Sequence, residues 1–267
     1  MEGVCLAAGS VVGRDHRTRN INGHDAYWVV QDAEAVVAVA CDGCGSGAHS
    51  EVGSKIGARL IAHAVRAQIG QGVLPADLSR MLERVRQDVL AQLRVLANAM
   101  GSGLSQTVND YFLFTTVAAV VTAERSVIFA NGDGLAVVNG ETVLRGECAG
   151  NAPPYLAYGL VPSSLDGIRP AALGFEICSE LPTVELQSFL LATDGLVPIF
   201  DDCEQKMPGT HEAFGPISQF WEQDRYFANA DNVRRRLYLA NREVRGEHGL
   251  LFDDTTVVVA RRVPTKE

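Results

Sequence analysis

The sequence predicts an α+β fold in which largely antiparallel β-sheets are covered by helices. Strand candidates come in adjacent groups joined by short turns, and the helix candidates are inserted between these groups. A regular alternation of single strands and helices, which would indicate a doubly wound parallel sheet, is not the pattern of this chain. With 267 residues and 47% hydrophobic content, the chain can bury a large core, and we expect one domain over residues 1–267.

In the first half of the chain, a hairpin precedes two helices. Strands are predicted over residues 26–30 and 35–40, separated by the polar turn Gln31-Asp-Ala-Glu34. Apolar residues recur at steps of three and four over residues 50–69, which predicts a helix with one buried face. A second helix of the same kind is predicted from Pro75 or Asp77 through Ala99.

Strand patterns dominate the second half. Asn139-Gly140 separates two apolar runs at 135–138 and 142–144, and this dipeptide is typical of a tight hairpin. Residues 146–173 are rich in Pro, Gly and Ser, which predicts a long surface excursion, and such flaps are often functional. The other predicted elements are strands at 111–121, 127–130, 175–178, 184–193 and 255–260, a helical stretch around 215–221 and a basic helix around 233–245.

Charge and composition narrow the possible partners. The net charge of −9 leaves no diffuse basic field for phosphate backbones, so we expect neither nucleic acid nor an anionic membrane as a partner. The sequence has no apolar run of about 18 residues and no secretory signal pattern at its start, so we expect a cytoplasmic protein.

The six cysteines are scattered, which indicates reduced thiols. Cys41 and Cys44 fit the pattern C-x-x-C, which can indicate redox or zinc chemistry. A structural zinc site needs about four ligands, however, and the sequence has no second C-x-x-C or paired histidine motif to supply them.

Aspartates in five short segments are the most informative feature of the sequence. Most of them stand where an apolar run stops, and most are followed by glycine, which lets the backbone approach a ligand closely. If such strand ends converge, their carboxylates repel one another unless a cation neutralises them. Hard oxygen ligands favour Mg²⁺ or Mn²⁺, with phosphate as the natural co-ligand. The five aspartates are Asp25, Asp42, Asp133, Asp194 and Asp253.

These segments resemble the metal-dependent type 2C serine/threonine protein phosphatases. The similarity is greatest to a bacterial branch with the motif Asp-Gly-x-Gly-Ser followed by His-Ser-Glu-x-Gly, which here reads Asp42-Gly-Cys-Gly-Ser46 and His49-Ser-Glu-Val-Gly53. Gly9-Ser-Val-Val-Gly-Arg-Asp-His16 looks like the opening of that branch. The similarity runs from about Gly9 to Arg262. A single Asp-Gly pair carries no information, but five segments in this order, ending in Asp-Asp-x-Thr, are specific.

The resemblance implies a central antiparallel β-sandwich flanked by helices on both sides, in four α/β/β/α layers. At one edge it implies a binuclear Mn²⁺ or Mg²⁺ centre, in which Asp42 bridges both ions. Asp42, Asp194 and Asp253 are then the candidate catalytic residues. By position, the implied metal ligands are Asp25, Asp42, the Gly43 carbonyl, Asp194 and Asp253, with Asp133 for a third, weaker ion.

The activity implied by the resemblance is hydrolysis of phosphoserine or phosphothreonine on a protein. Two divalent ions generate hydroxide near neutral pH for in-line attack on phosphorus, so no phosphoenzyme is required. The expected substrate is the target of a serine/threonine kinase, or the kinase itself. Two alternatives stay open at this point: a catalytically weak or inactive relative that binds a phosphorylated or regulatory partner, and an enzyme for a small phosphorylated metabolite.

Several positions depart from the pattern of the family. His24 precedes Asp25 where many relatives have Glu, and Gly134-Leu135 replaces Ser-Arg. Asn20 stands where an arginine of well-known members grips the substrate phosphate, and Cys44 replaces a histidine that follows Asp-Gly in many eukaryotic relatives. We interpret Asp254 as a turn or supporting residue. The candidate replacements are Arg17 and Arg19, with Arg14 from the same loop, for the phosphate contact, and His16 and His49 for the acid.

Overall fold

Two five-stranded antiparallel sheets form the centre of the computed structural model, which describes residues 3–101, 103–146, 153–161, 173–229 and 231–263. The strands are β1 (Val4–Val11), β2 (Ala26–Gln31), β3 (Ala35–Gly43), β4 (Phe114–Thr122), β5 (Arg125–Asn131), β6 (Gly134–Val138), β7 (Glu141–Gly146), β8 (Glu176–Pro182), β9 (Ser188–Ala192) and β10 (Thr255–Arg262). The helices are α1 (Arg14–Thr18), α2 (Ser50–Ala67), α3 (Leu78–Ala99), α4 (Leu104–Tyr111), α5 (Val197–Asp201), α6 (Gln219–Glu222), α7 (Arg225–Ala228) and α8 (Asn232–Asn241).

Sheet I has the strand order β1-β10-β9-β6-β7, and sheet II has the order β2-β3-β4-β5-β8. The two hairpins predicted from the sequence, β2–β3 and β6–β7, are both present. β2 pairs with β3 from Ala26↔Cys41 to Gln31↔Val36. β6 and β7 are joined by Asn139 and Gly140, both with positive φ (52° and 84°), which is the backbone that a tight hairpin turn requires.

The two sheets pack face to face over a core of small and branched apolar side chains. Val36 and Ala38 of sheet II belong to the same buried cluster as Phe189, Leu191 and Val258 of sheet I. A strand buried on both faces needs an apolar residue at every position, and β3, β4 and β9 are accordingly almost continuous apolar runs. Both sheets therefore need a helical cover on their outer faces.

Helices provide that cover on each side. Ile61 and Val65 of α2 and Val85 and Val89 of α3 are fully buried in the cluster on the outer face of sheet II. On sheet I, the corresponding cluster includes Val233, Leu237 and Ala240 of α8. The four-layer α/β/β/α arrangement expected from the sequence is confirmed.

Some element boundaries differ from the sequence predictions. The strand expected over residues 111–121 begins only at Phe114, because residues before it form α4. The strand expected over 184–193 is β9 alone; a 3-10 turn, Thr183–Glu185, precedes it. In the segment expected to form the loop of Arg14, Arg17 and Arg19, residues Arg14–Thr18 form the one-turn helix α1.

The expected excursion at 146–173 falls mostly outside the described residues. Its longest described part, 153–161, contains the 3-10 turn Leu156–Leu160, whose Leu156 and Ala157 are fully buried against the α2–α3 side of the core. In the ranges that the structure describes, we find no helix with the length and apolar character needed to span a membrane.

Candidate functional site

The strand-end aspartates converge at one edge of the sandwich. Asp42 lies at the end of β3, Asp133 lies between β5 and β6, and Asp194 follows β9 after one residue. Asp253 lies just before β10, whose Val257 pairs with Ala192 of β9. In an antiparallel sheet the end of one strand adjoins the start of the next. The chain passes from sheet II to sheet I between β5 and β6, so residues of both sheets meet at this edge.

A cavity of about 240 Å³ opens at this edge, and Asp42, Asp133, Asp194 and Asp253 all line it. Asp25 does not line this cavity; it is fully buried beside Asp42, and Thr193 Oγ1 donates a hydrogen bond of 2.7 Å to its Oδ2. The structure thus gathers the five predicted aspartates into one region. The other lining residues are Asp15, His16, Arg19, Gly43, Cys44, Gly45, Ser46, Thr115, Pro153, Tyr155 and Phe252.

Asp25, Asp42, Asp133 and Asp253 have carboxyl groups that resist ionisation in the absence of a cation. Burial raises the pKa of Asp42 well above its usual range, and the charges of Asp25, Asp194 and Asp253 raise it further. Burial also raises the pKa of Asp25, and the charge of Asp254 adds to the effect. For Asp133, burial and then the charge of Asp194 raise the pKa to about 6. The site therefore favours any ligand that brings positive charge.

Two buried carboxylate oxygens, Asp25 Oδ1 and Asp194 Oδ1, have no hydrogen-bond partner within the described residues. A buried acceptor without a partner is costly, and each costs about 1–3 kcal/mol unless something else satisfies it. Together with the raised pKa values, these oxygens fit hard divalent cations such as Mg²⁺ or Mn²⁺, which prefer carboxylate ligands.

Backbone geometry brings the site segments into contact at Gly195. A Cβ atom on this residue would lie 2.0 Å from the Asp254 carbonyl oxygen and 2.6 Å from Thr255 Oγ1. Only glycine allows the turn after Asp194 to approach the start of β10 so closely. The glycine that follows the aspartate therefore positions two candidate metal-binding segments beside each other.

A family model described as protein phosphatase 2C matches residues 12–232. The chain belongs to the protein phosphatase 2C family. No curated protein sequence matches it significantly. A bacterial serine phosphatase has a similar structure, with 15% identity, coverage of 98% of this chain and 99% of the other, and a TM-score of 0.58.

Two further phosphatase structures resemble this member of the phosphatase 2C family. The serine/threonine phosphatase Stp1 from Staphylococcus aureus is 15% identical over 97% of this chain and 95% of that one, with a TM-score of 0.55. The Mycobacterium tuberculosis serine/threonine phosphatase PstP/Ppp is 16% identical over 98% and 99% of the two chains, with a TM-score of 0.51. At these identities the similarity shows a shared fold.

The three arginine candidates for phosphate binding in this phosphatase 2C chain lie in different surroundings. Arg19 lines the cavity and pairs with Asp15 at 2.8 Å. Arg17 does not line it and instead donates to Asn241 Oδ1 at 3.4 Å. Arg14 donates to the Gly249 carbonyl and lies 5.4 Å from the centroid of the Phe252 ring. Arg19 is therefore the arginine that the fold brings to the aspartates.

The substituted positions have defined places as well. His24 is buried, 3% exposed, and its Nε2 lies 4.0 Å from Glu51 Oε2. Burial, and then the neighbouring His16, lower the pKa of the His24 ring. Cys44 lines the cavity, and its Sγ lies 3.1 Å from Ser46 Oγ. The Cys44 thiol thus lies in the wall of the site, whereas Cys41, the other cysteine of the C-x-x-C pattern, is fully buried beside Thr116.

Asp254 supports neighbouring segments of the site, in agreement with its interpretation from the sequence as a turn or supporting residue. Its side chain is buried, and Oδ1 accepts a hydrogen bond from the Gly13 amide at 2.6 Å while Oδ2 accepts one from the His24 amide at 2.5 Å. His16 Nδ1 lies 2.8 Å from the same Oδ2. Asp254 thus fixes the loop between β1 and β2 against the start of β10. His16, Asp253 and Asp254 also place ligand atoms within 4.8 Å of one another.

Proposed function

We propose that this chain is a Mn²⁺- or Mg²⁺-dependent phosphatase that hydrolyses phosphoserine or phosphothreonine on a protein. The observation that supports this most directly is the convergence of four carboxylates, from Asp42, Asp133, Asp194 and Asp253, on one cavity. Membership in a family of protein phosphatases supports the same reaction class.

The residues that would hold the metal are those whose charge or oxygen atoms need a cation. Asp42 lies among Asp25, Asp194 and Asp253, whose charges all act on it, so its carboxylate would be a central ligand for bound cations. The Gly43 carbonyl would contribute from the same strand end, and Asp133 would serve a third, weaker ion. Bound divalent ions would lower the pKa of a coordinated water and offset the charge that develops on the phosphoryl oxygens.

Arg19 is the residue that we propose for holding the substrate phosphate. Its guanidinium is permanently charged and lines the cavity, with side-chain exposure of 54%, so the group can meet an incoming phosphate. Asp15 pairs with this guanidinium at 2.8 Å, and an ion pair so exposed is weak enough for a phosphate to compete with it. Arg17 was an equal candidate in the sequence, but its contact with Asn241 directs it elsewhere.

The proposed substrates are phosphorylated proteins in the cytoplasm. Phosphoserine or phosphothreonine side chains would reach the aspartates through the mouth near Arg19 and Phe252, on the target of a serine/threonine kinase or on the kinase itself. The five described cysteines are free, which supports the reducing cytoplasm as the compartment.

The decisive experiment measures phosphate release from a phosphothreonine peptide with added Mn²⁺, with and without EDTA. We expect turnover that requires the metal and that falls by more than about 100-fold in Asp42→Asn, because this variant removes the central carboxylate charge. Asp88→Asn is the matched control, since it makes the same change on the exposed side of α3.

Each outcome has a separate meaning. Equal loss in both variants would point to damage unrelated to the site, and unchanged turnover in Asp42→Asn would contradict the assignment of the metal centre. Folded, Mn²⁺-loaded protein without any turnover would favour the alternative of a phosphatase-like module that binds a phosphorylated partner. Turnover of small phosphate esters without turnover of phosphopeptides would favour a metabolite substrate.

A further inference from the structure

Asp254 is the most thoroughly bonded carboxylate beside the site. Its side chain is 1% exposed, and it accepts two backbone hydrogen bonds, from Gly13 and from His24. Backbone amides can only donate, so the carboxylate acts as an acceptor toward both. A carboxylate held by two amides cannot rotate away from a third partner, and that third partner is the His16 ring.

The geometry fixes which nitrogen of His16 is engaged. Nδ1 lies 2.8 Å from Asp254 Oδ2, and because the carboxylate accepts, Nδ1 carries the hydrogen. His16 also lines the same cavity as Asp42 and Asp194. With Nδ1 committed to Asp254, Nε2 is the ring nitrogen left to exchange a proton with the cavity. A buried carboxylate that orients a histidine in this way is a common device for proton transfer.

Phosphate-ester hydrolysis creates a need for such a group. Serine and threonine alkoxides are poor leaving groups, so cleavage of their P–O bond is faster when an acid protonates the departing oxygen. At the position after Asp42-Gly43 this chain has Cys44, and His49, the other histidine candidate, stacks on Tyr111 with ring centroids 4.8 Å apart. Among the described residues that line the cavity, His16 is the histidine.

We propose that His16 is the proton donor to the leaving oxygen and that Asp254 is its positioning residue. This inference rests on the proposed phosphatase function. Water adds to phosphorus, the P–O bond to the serine or threonine oxygen breaks, and the bond's electron pair stays on that oxygen. The oxygen takes the proton from His16 Nε2. The attacking water releases a proton to solvent, and solvent returns a proton to Nε2. Asp253 and Asp254 each place a carboxylate oxygen within 4.8 Å of a His16 ring nitrogen, and the centroid of the His24 ring lies 4.3 Å from that of His16.

The dependence of the hydrolysis rate on the leaving group tests the role of His16 directly. His16→Asn in the full chain keeps an amide N–H that can donate to Asp254 but has no proton to transfer. With Mn²⁺ present, we expect kcat for a phosphoserine peptide to fall by about 100-fold or more. For p-nitrophenyl phosphate, whose leaving group needs no proton at neutral pH, we expect a loss below about fivefold. Exposed His211→Asn is the matched control.

A merely structural role for His16 makes a different prediction. If the ring only anchors the loop, both substrates lose activity equally, and this outcome would overturn the proposal. Unchanged turnover of both substrates would also overturn it. Asp254→Asn should show the same selective loss for the peptide in a weaker form, because the ring remains but its tautomer and orientation are no longer fixed.

A second measurement needs no variant and covers the case in which His16→Asn does not fold. Across a series of substituted phenyl phosphates, the unmodified protein should show kcat nearly independent of leaving-group pKa, since the donated proton removes that dependence. A steep decline of kcat with rising leaving-group pKa would contradict proton donation. If the unmodified protein hydrolyses no phosphate ester at all, the proposed function itself fails, and this result is distinct from active protein without the His16 effect.

Discussion

Replacing Asp133 by Asn should make the metal-free protein more stable at neutral pH. Burial and the nearby charge of Asp194 raise the pKa of Asp133 from 3.8 to about 6. Between these two pH values the folded chain keeps a proton that the unfolded chain has released. Stability therefore falls as pH rises from about 4 to about 6 and stays reduced above that range.

The expected size of the effect follows from the pKa difference. Each pKa unit corresponds to about 1.4 kcal/mol, so a rise of about two units corresponds to about 3 kcal/mol. Because the cavity opens to solvent on one side, screening reduces this value, and we expect about 1–3 kcal/mol. For a chain of this size, that range corresponds to an increase in Tm of about 3–9 °C.

Thermal unfolding in EDTA, from pH 4 to pH 8, provides the measurement. The Tm of Asp133→Asn should exceed that of the unmodified protein at pH 7.5, and most of the difference should be lost near pH 4, where the carboxyl is protonated in the folded chain and about half protonated in the unfolded chain. A difference that does not change with pH, or a less stable variant at pH 7.5, would refute the reasoning. Added Mn²⁺ should reduce the advantage of the variant, because the unmodified protein gains a ligand-linked stabilisation.

Two further predictions concern Arg19, which lines the cavity, and Gly195, which contacts the start of β10. In steady-state kinetics, Arg19→Ala should raise KM for a phosphothreonine peptide about tenfold with a smaller change in kcat. The control Arg84→Ala, at an exposed position, should leave both constants unchanged. An unaltered KM in Arg19→Ala would exclude Arg19 from phosphate binding. Gly195→Ala should lower the free energy of unfolding by about 3 kcal/mol, because its Cβ would lie 2.0 Å from the Asp254 carbonyl oxygen. Gly70→Ala, which meets no heavy atom within 4 Å, should stay within about 1 kcal/mol in the same urea titration, and equal losses would contradict the steric argument.

Much of the site could be predicted from the sequence because its aspartates follow a local rule. Asp42 and Asp194 stand at or just beyond the ends of apolar runs, and the sheet order then brings those ends together. The place of Asp254 obeys no local rule. Its hydrogen bond to the Gly13 amide joins residues 241 positions apart, and only the pairing of β1 with β10 creates that contact. The sequence likewise cannot distinguish Arg17 from Arg19 as the phosphate-binding residue, because only the direction of α1 in the folded chain decides which of them reaches the cavity.

The fold shows the same division between local and long-range information. The long helices α2 and α3 carry many turns of apolar periodicity, and Asp77 caps α3 by accepting a hydrogen bond from the Arg80 amide at 2.9 Å. The missed helix α4 has only eight residues, too few turns for its pattern to exceed that of a loop. Its place is set by packing, because Thr107 and Val108 are buried beside the larger helices.

The bond between the Gly13 loop and Asp254 has a consequence for how the protein is made. Ribosomes deliver the chain from its first residue onward, and sheet II has four of its five strands by Asn131, whereas the last strand of sheet I begins at Thr255. Until that strand emerges, His16 has no carboxylate to orient it and Asp253 is missing from the cavity. A nascent or truncated chain that ends before this point therefore cannot assemble the site, so any hydrolytic capacity arises only once synthesis has passed Asp254.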